Sequence, residues 1–308
     1  MDYEDWLASG ERVSVELPAS DTFNIFCRVA GVGPWLTLLH GFPTSSWDWA
    51  PVAPALERRF RVLAFDFLGF GDSDKPPRHS YSIFEQADLV EALWSRFAIE
   101  KSAIVGHDYG ATVAQELLAR REEGSLSVEV SALFLLNSGL YVSLARPLLV
   151  QRLLAQPVMG PLLARAVTER TFARSLSSVI SPAHALSRED LRTHWEVVRR
   201  GGGVAATPRL LRYMDERAEN AGRWEGALER ADLPIHLVWG MADPRSGAHI
   251  AEHVRRRAPR VRVVELQDVG HYPHLEVPEA VADAIGGEAE PLALYDHRPT
   301  DGSGEKKR

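Results

Sequence analysis

A single cysteine, Cys27, occurs in the whole sequence. An intrachain disulfide is thereby excluded, and a cysteine-based metal centre has no ligand set. Cys27 falls in a strand-like run and reads as a small buried hydrophobe rather than a reactive thiol. No apolar stretch approaches the roughly 20 residues that a bilayer span needs, so no membrane span is expected. The start, Met1-Asp2-Tyr3-Glu4-Asp5, is acidic, lacks an apolar core and does not read as a secretory signal. These absences point to a cytoplasmic protein. Positive charge is also in deficit: 35 Lys and Arg against 42 Asp and Glu give a net charge of −7. A general nucleic-acid binder needs a basic surface that displaces counterions, and that class is excluded. Neither a P-loop nor a dinucleotide fingerprint is present, internal repeats are absent, and no cofactor is called for.

What is present suits a packed globule. Hydrophobic residues make up 45 % and charged residues 25 % of 308 positions. That length accommodates one large domain with an insertion, or two ordinary domains. Residues 12–17 and 23–29 alternate apolar with polar and predict strands with one covered face. Residues 35–39, 61–65 and 102–105 are short, nearly continuous apolar runs, the pattern of parallel strands covered on both faces. Further strands are predicted at 234–239 and 261–266, with one more ending at Asn137. Helices are predicted over 81–97, 111–118 and 248–256, and a last one from Pro278 to a stop at Gly286-Gly287. The alternation predicts an α/β fold, a mostly parallel central sheet flanked by helices. Residues 140–223 break the rhythm with helix-like segments, a Gly201-Gly202-Gly203 break and no convincing strand. They are expected to form a helical cap between two parts of the core, 1–139 and 224–286. The polar tail, 287–308, is expected to be disordered.

Three motifs carry chemistry. Ile104-Val105-Gly106-His107-Asp108-Tyr109-Gly110-Ala111 reads as strand, tight turn and helix, with Asp108 at the nucleophile position of a Gly-x-nucleophile-x-Gly elbow. The bland reading of the same residues is an ordinary turn with Asp108 as a helix N-cap. Leu38-Leu39-His40-Gly41-Phe42-Pro43 follows an early strand and offers the Phe42 N–H to an oxyanion; the Tyr109 N–H is the second candidate. Val269-Gly270-His271-Tyr272-Pro273-His274-Leu275-Glu276 follows the final strand and supplies His271. Between elbow and histidine, Asp243 ends a strand in Trp239-Gly240-Met241-Ala242-Asp243-Pro244. Asn137 is the alternative location for an acid, but it carries no charge. Each motif alone is weak, and their order is what counts. His40 and His107 read as loop supports. The acid-rich loop of Asp66, Asp72 and Asp74 lacks the EF-hand ligand pattern, so no metal is expected there.

These residues resemble the α/β-hydrolase superfamily over 12–285. His40-Gly-Phe-Pro43 and Gly106-His-Asp-Tyr-Gly110 resemble its epoxide hydrolase and haloalkane dehalogenase branch. A carboxylate nucleophile is ionised at neutral pH without a base. On an ester it would give a poorly stable anhydride, whereas on an sp3 carbon with a leaving group it gives an ester. The expectation is therefore a covalent alkyl-enzyme ester on Asp108, hydrolysed by water that His271 activates and Asp243 orients. Tyr213 resembles one of the two cap tyrosines that protonate the leaving oxygen in epoxide hydrolases; Tyr141 is the candidate for the second. Dehalogenases of this branch use Asn and Trp where this sequence has Phe42 and Tyr109. Epoxide opening is the leading expectation. Halide displacement, ester or lactone hydrolysis and a non-catalytic binding protein of the same fold are the alternatives. Trp47, Trp49 and Tyr141 are expected to line the pocket, with a small apolar or aromatic electrophile and water as the partners.

Overall fold

The computed structural model describes residues 1–18 and 21–293. Its centre is a sheet of eight strands in the order β1-β2-β4-β3-β5-β6-β7-β8. The strands are β1 (Glu11–Glu16), β2 (Thr22–Ala30), β3 (Trp35–Leu39), β4 (Arg61–Phe65), β5 (Lys101–His107), β6 (Glu129–Leu136), β7 (Ile235–Gly240) and β8 (Arg262–Leu266). β1 pairs with β2, and β2 with β4, antiparallel; every other pairing is parallel. The apolar runs follow from position. β3, β4, β5 and β7 lie inside the sheet with helices on both sides, so neither face needs polar residues, and all of β7 is buried.

The helices are α1 (Tyr3–Ala8), α2 (Ala53–Leu56), α3 (Ile83–Arg96), α4 (Tyr109–Glu122), α5 (Leu149–Leu154), α6 (Met159–Ala164), α7 (Glu169–Ser177), α8 (Arg188–Arg199), α9 (Gly203–Leu210), α10 (Tyr213–Glu219), α11 (Ala221–Arg230), α12 (Ala248–Arg257), α13 (Pro273–Glu276) and α14 (Pro278–Ala293). One sheet face packs against α3 and α4 through Leu93, Trp94, Val113 and Leu117. The other is covered by Trp6, Trp49, Phe60 and Ile285. The helix α1, which no periodicity announced, is short but capped. The Asp2 carboxylate accepts the Asp5 N–H at 2.8 Å, and Trp6 is fully buried.

Residues between β6 and β7 are helical throughout, as α5 to α11 with short 3₁₀ turns. Gly201 and Gly202 adopt φ of 57° and 85° and turn the chain from α8 into α9. The boundary expected after residue 223 falls inside α11. That helix packs on α4: Trp224 Nε1 donates to Glu116 at 2.7 Å, and Arg223 pairs with Glu116 and Glu123. α11 thus packs directly on the sheet-covering helix α4. The helix α14 does not stop at Gly286-Gly287 but continues to Ala293. A side chain at Gly286 would come within 2.3 Å of the Arg59 guanidinium, so this glycine marks a close approach rather than a stop. Of the expected disordered tail, 294–308 lies outside the described residues.

Candidate active site

Asp108 sits between the last residue of β5 and the first of α4, with φ 46° and ψ −105°. A turn this sharp needs its flanks bare. A Cβ on Gly106 would lie 2.9 Å from the Gly110 carbonyl oxygen, and one on Gly110 would lie 2.2 Å from the Leu39 carbonyl oxygen. The Asp108 side chain makes no capping hydrogen bond to α4, contrary to the bland reading of the motif. Instead its Oδ2 accepts the Phe42 N–H at 3.1 Å, and its Oδ1 lies 3.8 Å from His271 Nε2.

His271 Nδ1 donates to Asp243 Oδ2 at 2.7 Å, which fixes the ring with Nε2 toward Asp108. Asp243 is in turn held by the Ser246 hydroxyl at 2.5 Å, the Asn137 amide at 3.0 Å and the Arg245 N–H at 2.7 Å. Asn137 also exchanges hydrogen bonds with the Gly240 carbonyl and N–H. It is therefore a clamp on the acid-bearing loop, not an acid. Burial alone would favour a neutral Asp243. The His271 charge and these donors outweigh it and push the carboxyl far below the usual range. Burial works against a charge on His271, but Asp243 and then Asp108 more than offset it and lift the imidazolium to about 9. Burial raises Asp108, opposed by His271, the Phe42 N–H and Arg217.

The two loops are braced from behind. His107 Nε2 donates to the His271 carbonyl at 2.8 Å. His40 accepts the Phe67 N–H at 3.1 Å, which holds the Phe42 loop against the end of β4. Glu276, buried, accepts the N–H groups of Gly270 at 2.7 Å, Ser181 at 3.0 Å and Tyr272 at 3.1 Å. The His271 N–H donates to the Val179 carbonyl at 2.9 Å. The histidine loop is thus tied to the segment between α7 and α8.

A cavity of about 760 Å³ opens in front of Asp108 and His271. Phe42 and Tyr213 line it, with Leu154, Phe172, Val179 and Trp195 from the segment between β6 and β7. Tyr213 begins α10, is buried, and lies 5.1 Å from the Tyr109 ring and 6.4 Å from the Phe42 ring. Burial first and Asp108 second push its phenol well up, so it stays protonated.

Three expected pocket residues lie elsewhere. Trp49 is fully buried against His274, Trp47 packs on Tyr3 and His194, and Tyr141 packs on His253 of α12. Both tryptophans belong to the 3₁₀ turn Ser46–Trp49, and neither side chain lines the cavity. The Tyr109 side chain also points into the core, against Phe67 and Phe70; only its backbone faces the site.

Arg217, one helical turn after Tyr213 on α10, was not singled out from sequence. It is 8 % exposed and lines the cavity, and its Nη2 has no hydrogen-bond partner. Its i, i+4 spacing from Tyr213 was the available signal. Among the described residues one cluster has metal-ligand types: Asp48, His107 and His274, whose ligand atoms lie within 4.8 Å of one another. It is buried behind the histidine loop and does not line the cavity. Burial raises the Asp48 carboxyl and lowers both imidazoles. In the acidic loop, Asp66 accepts the Ser46 and Asp72 N–H groups at 2.7 and 2.6 Å, and Asp74 accepts the Asn24 N–H at 2.7 Å. These carboxylates shape the loop. No helix among the described residues is long and apolar enough to cross a membrane.

Comparison with known proteins agrees with this architecture. Residues 34–278 match the family model described as alpha/beta hydrolase fold. The mesoderm-specific transcript protein of Mus musculus is 41 % identical over 266 residues, which cover 84 % of this chain and 79 % of that one. Haloalkane dehalogenase DbeA from Bradyrhizobium elkani superposes with a TM-score of 0.78 at 22 % identity, covering 93 % of this chain and 99 % of its own. The epoxide hydrolase CorEH superposes with a TM-score of 0.75 at 22 % identity, covering 92 % and 99 %. At such identities the two structures speak for the fold. With the family model spanning most of the chain, this protein is a hydrolase of the α/β-hydrolase superfamily.

Proposed function

We propose that this hydrolase opens epoxides to diols through a covalent ester on Asp108. One observation carries the reading: an uncapped carboxylate, 3.1 Å from the Phe42 N–H and 3.8 Å from an imidazole that is itself oriented by a buried aspartate. In the first step an Asp108 oxygen attacks an epoxide carbon. The C–O bond breaks, and the leaving alkoxide takes the Tyr213 proton. A phenol with a raised pKa is still a far stronger acid than an alcohol, so this transfer runs downhill. Esterification removes the Asp108 charge, one of the causes that hold the His271 proton. The Tyr213 phenolate recovers its proton at the expense of His271, which becomes a neutral base. In the second step His271 Nε2 takes a proton from water, and the hydroxide adds to the Asp108 carbonyl carbon. The Phe42 and Tyr109 N–H groups hold the oxyanion; its collapse breaks the bond from the Asp108 carbonyl carbon to the ester oxygen, which takes the proton of the new carboxyl and departs as the diol, leaving Asp108 ionised and His271 protonated as at the start. The net change is the addition of one water.

The helices α5 to α10 act in this reading as a cap that supplies Tyr213 and screens the ester from bulk water. Epoxides are preferred over alkyl halides because Tyr213 lines the cavity while positions 42 and 109 bring no side-chain N–H. A second tyrosine donor is not supplied by Tyr141, which packs against His253. The test is His271→Gln incubated with a panel of epoxides that the unaltered protein hydrolyses. A mass increment equal to the epoxide is expected on Asp108, and Asp108→Asn is expected to show neither adduct nor turnover. A hydrolysed substrate that leaves no adduct on His271→Gln overturns the two-step scheme.

A further inference from the structure

We propose that the substrate is an amphipathic carboxylate whose anionic group sits on Arg217, beside the reacting carbon. The inference rests on the Asp108–His271 site being the reaction centre. The first observation is Arg217 itself. A buried guanidinium without a carboxylate is costly, and natural structures pair such groups. No described carboxylate is hydrogen-bonded or ion-paired to Arg217. On its own helix, Glu216 is occupied by the Ile83 N–H at 2.7 Å, and Asp215 and Glu219 are exposed. On the same helix the guanidinium donates to the Tyr213 hydroxyl oxygen, and the Tyr213 ring centroid is 6.0 Å from the guanidinium carbon; from the other elements its surroundings are the bare backbone of Gly139 and Asp108. The two Asp108 oxygens already face Phe42 and His271. The Nη2 of Arg217 is left without a partner in a wall of the cavity.

The second observation is the charge of that wall. In a chain of net charge −7, the lining holds Arg146, Arg152, Arg174, Arg217 and Arg245, with Asp108 as its one acid. Arg146, Arg152 and Arg174 are exposed, Arg245 is half-buried and Arg217 is buried. An anion thus meets positive charge from the entrance inward. The third observation is charge balance during turnover. Once Asp108 is an ester, the His271–Asp243 pair is neutral as a whole or carries the single negative charge of Asp243, while Arg217 is left with no fixed anionic partner. A substrate carboxylate supplies that partner in a planar, two-pronged geometry that a guanidinium matches. The rest of the molecule meets apolar walls at Leu148, Leu154, Phe172, Leu176 and Trp195, which call for an aliphatic or aromatic body.

The test uses ligands that cannot react, so that it does not depend on the chemistry at Asp108. Octanoate and octanamide share size and chain and differ in charge. Calorimetric titration of the full chain is expected to show octanoate binding about tenfold to a hundredfold tighter, the range for hydrogen bonds to a charged group. Arg217→Gln is expected to erase that preference, and Arg217→Lys to keep a reduced one. Should Arg217→Gln fail to fold, Arg217→Lys and the displacement of octanoate from the unaltered protein decide the matter. Equal binding of the two ligands by the unaltered protein overturns the proposal. So does a preference that survives Arg217→Gln undiminished, which would assign it to the arginines at the entrance. An absence of ester trapping on Asp108 alongside a clear octanoate preference would instead sink the epoxide reading and leave the carboxylate site standing.

Discussion

Asp108 and His271, 3.8 Å apart, must each be deprotonated at a different moment of the proposed cycle. The nucleophile must be ionised, and burial raises its pKa. Attack is therefore expected to fail on acidification earlier than a solvent-exposed carboxylate would dictate, as an acid limb in kcat/KM. The base must be neutral, and in the free protein its pKa is about 9. Where hydrolysis of the ester limits turnover, kcat is expected to rise with pH as His271 deprotonates. Asp243→Asn removes the charge that raises His271, so this limb moves to lower pH while the plateau falls roughly a hundredfold or more. A pH series of kcat on the two proteins checks both the direction and the loss. The positions of Asp108, Asp243 and His271 were legible because each stands in a local pattern, glycine-flanked or strand-ending, in a fixed order along the chain. Arg217, Ser246 and Glu276 were not, because none stands in a motif of its own: Ser246 meets Asp243 three residues back and Glu276 meets Tyr272 four residues back, contacts that depend on how the loops fold. Trp47 and Trp49 misled for the converse reason: nearness to a motif says nothing about which way a side chain turns.

At the level of elements, the strands were the most readable part. Their apolar runs record burial on both faces, and the predicted spans 35–39 and 61–65 coincide with β3 and β4. Ends set by contacts elsewhere were not readable: α14 passes through two glycines, of which Gly286 lies against the Arg59 guanidinium, and α11 crosses an expected boundary where Glu116 holds Trp224. The short element α13 carries Glu276, which keeps the histidine loop in place through three buried N–H groups. Glu276→Ala strands those donors. It is expected to cost about 3 kcal/mol or more, at about 1–3 kcal/mol for each unsatisfied buried group. A lower denaturant midpoint with an unchanged slope would show it, and an unchanged midpoint would mean that water replaces the carboxylate without loss.

Taken as a whole, the molecule sets an acidic exterior around a cavity walled with arginine. A field of that shape acts on approach as well as on binding, and salt screens it over a Debye length of about 8–10 Å at moderate ionic strength. For an epoxide bearing a carboxylate, kcat/KM is expected to fall as salt rises from about 0.01 to 0.5 M, while a neutral epoxide of the same size changes little. Parallel slopes for the two would show that the arginine wall does not guide the substrate.

The grip of one carboxylate on residues 181, 270 and 272, seconded by the hydrogen bond from 271 to 179, fuses two passages of chain that are written almost a hundred positions apart. Recombination between homologues must respect that seam. A chimera that imports foreign helices but breaks the 179–181 junction would dislodge His271 along with them, so the portable unit is these helices together with their landing strip on the far loop.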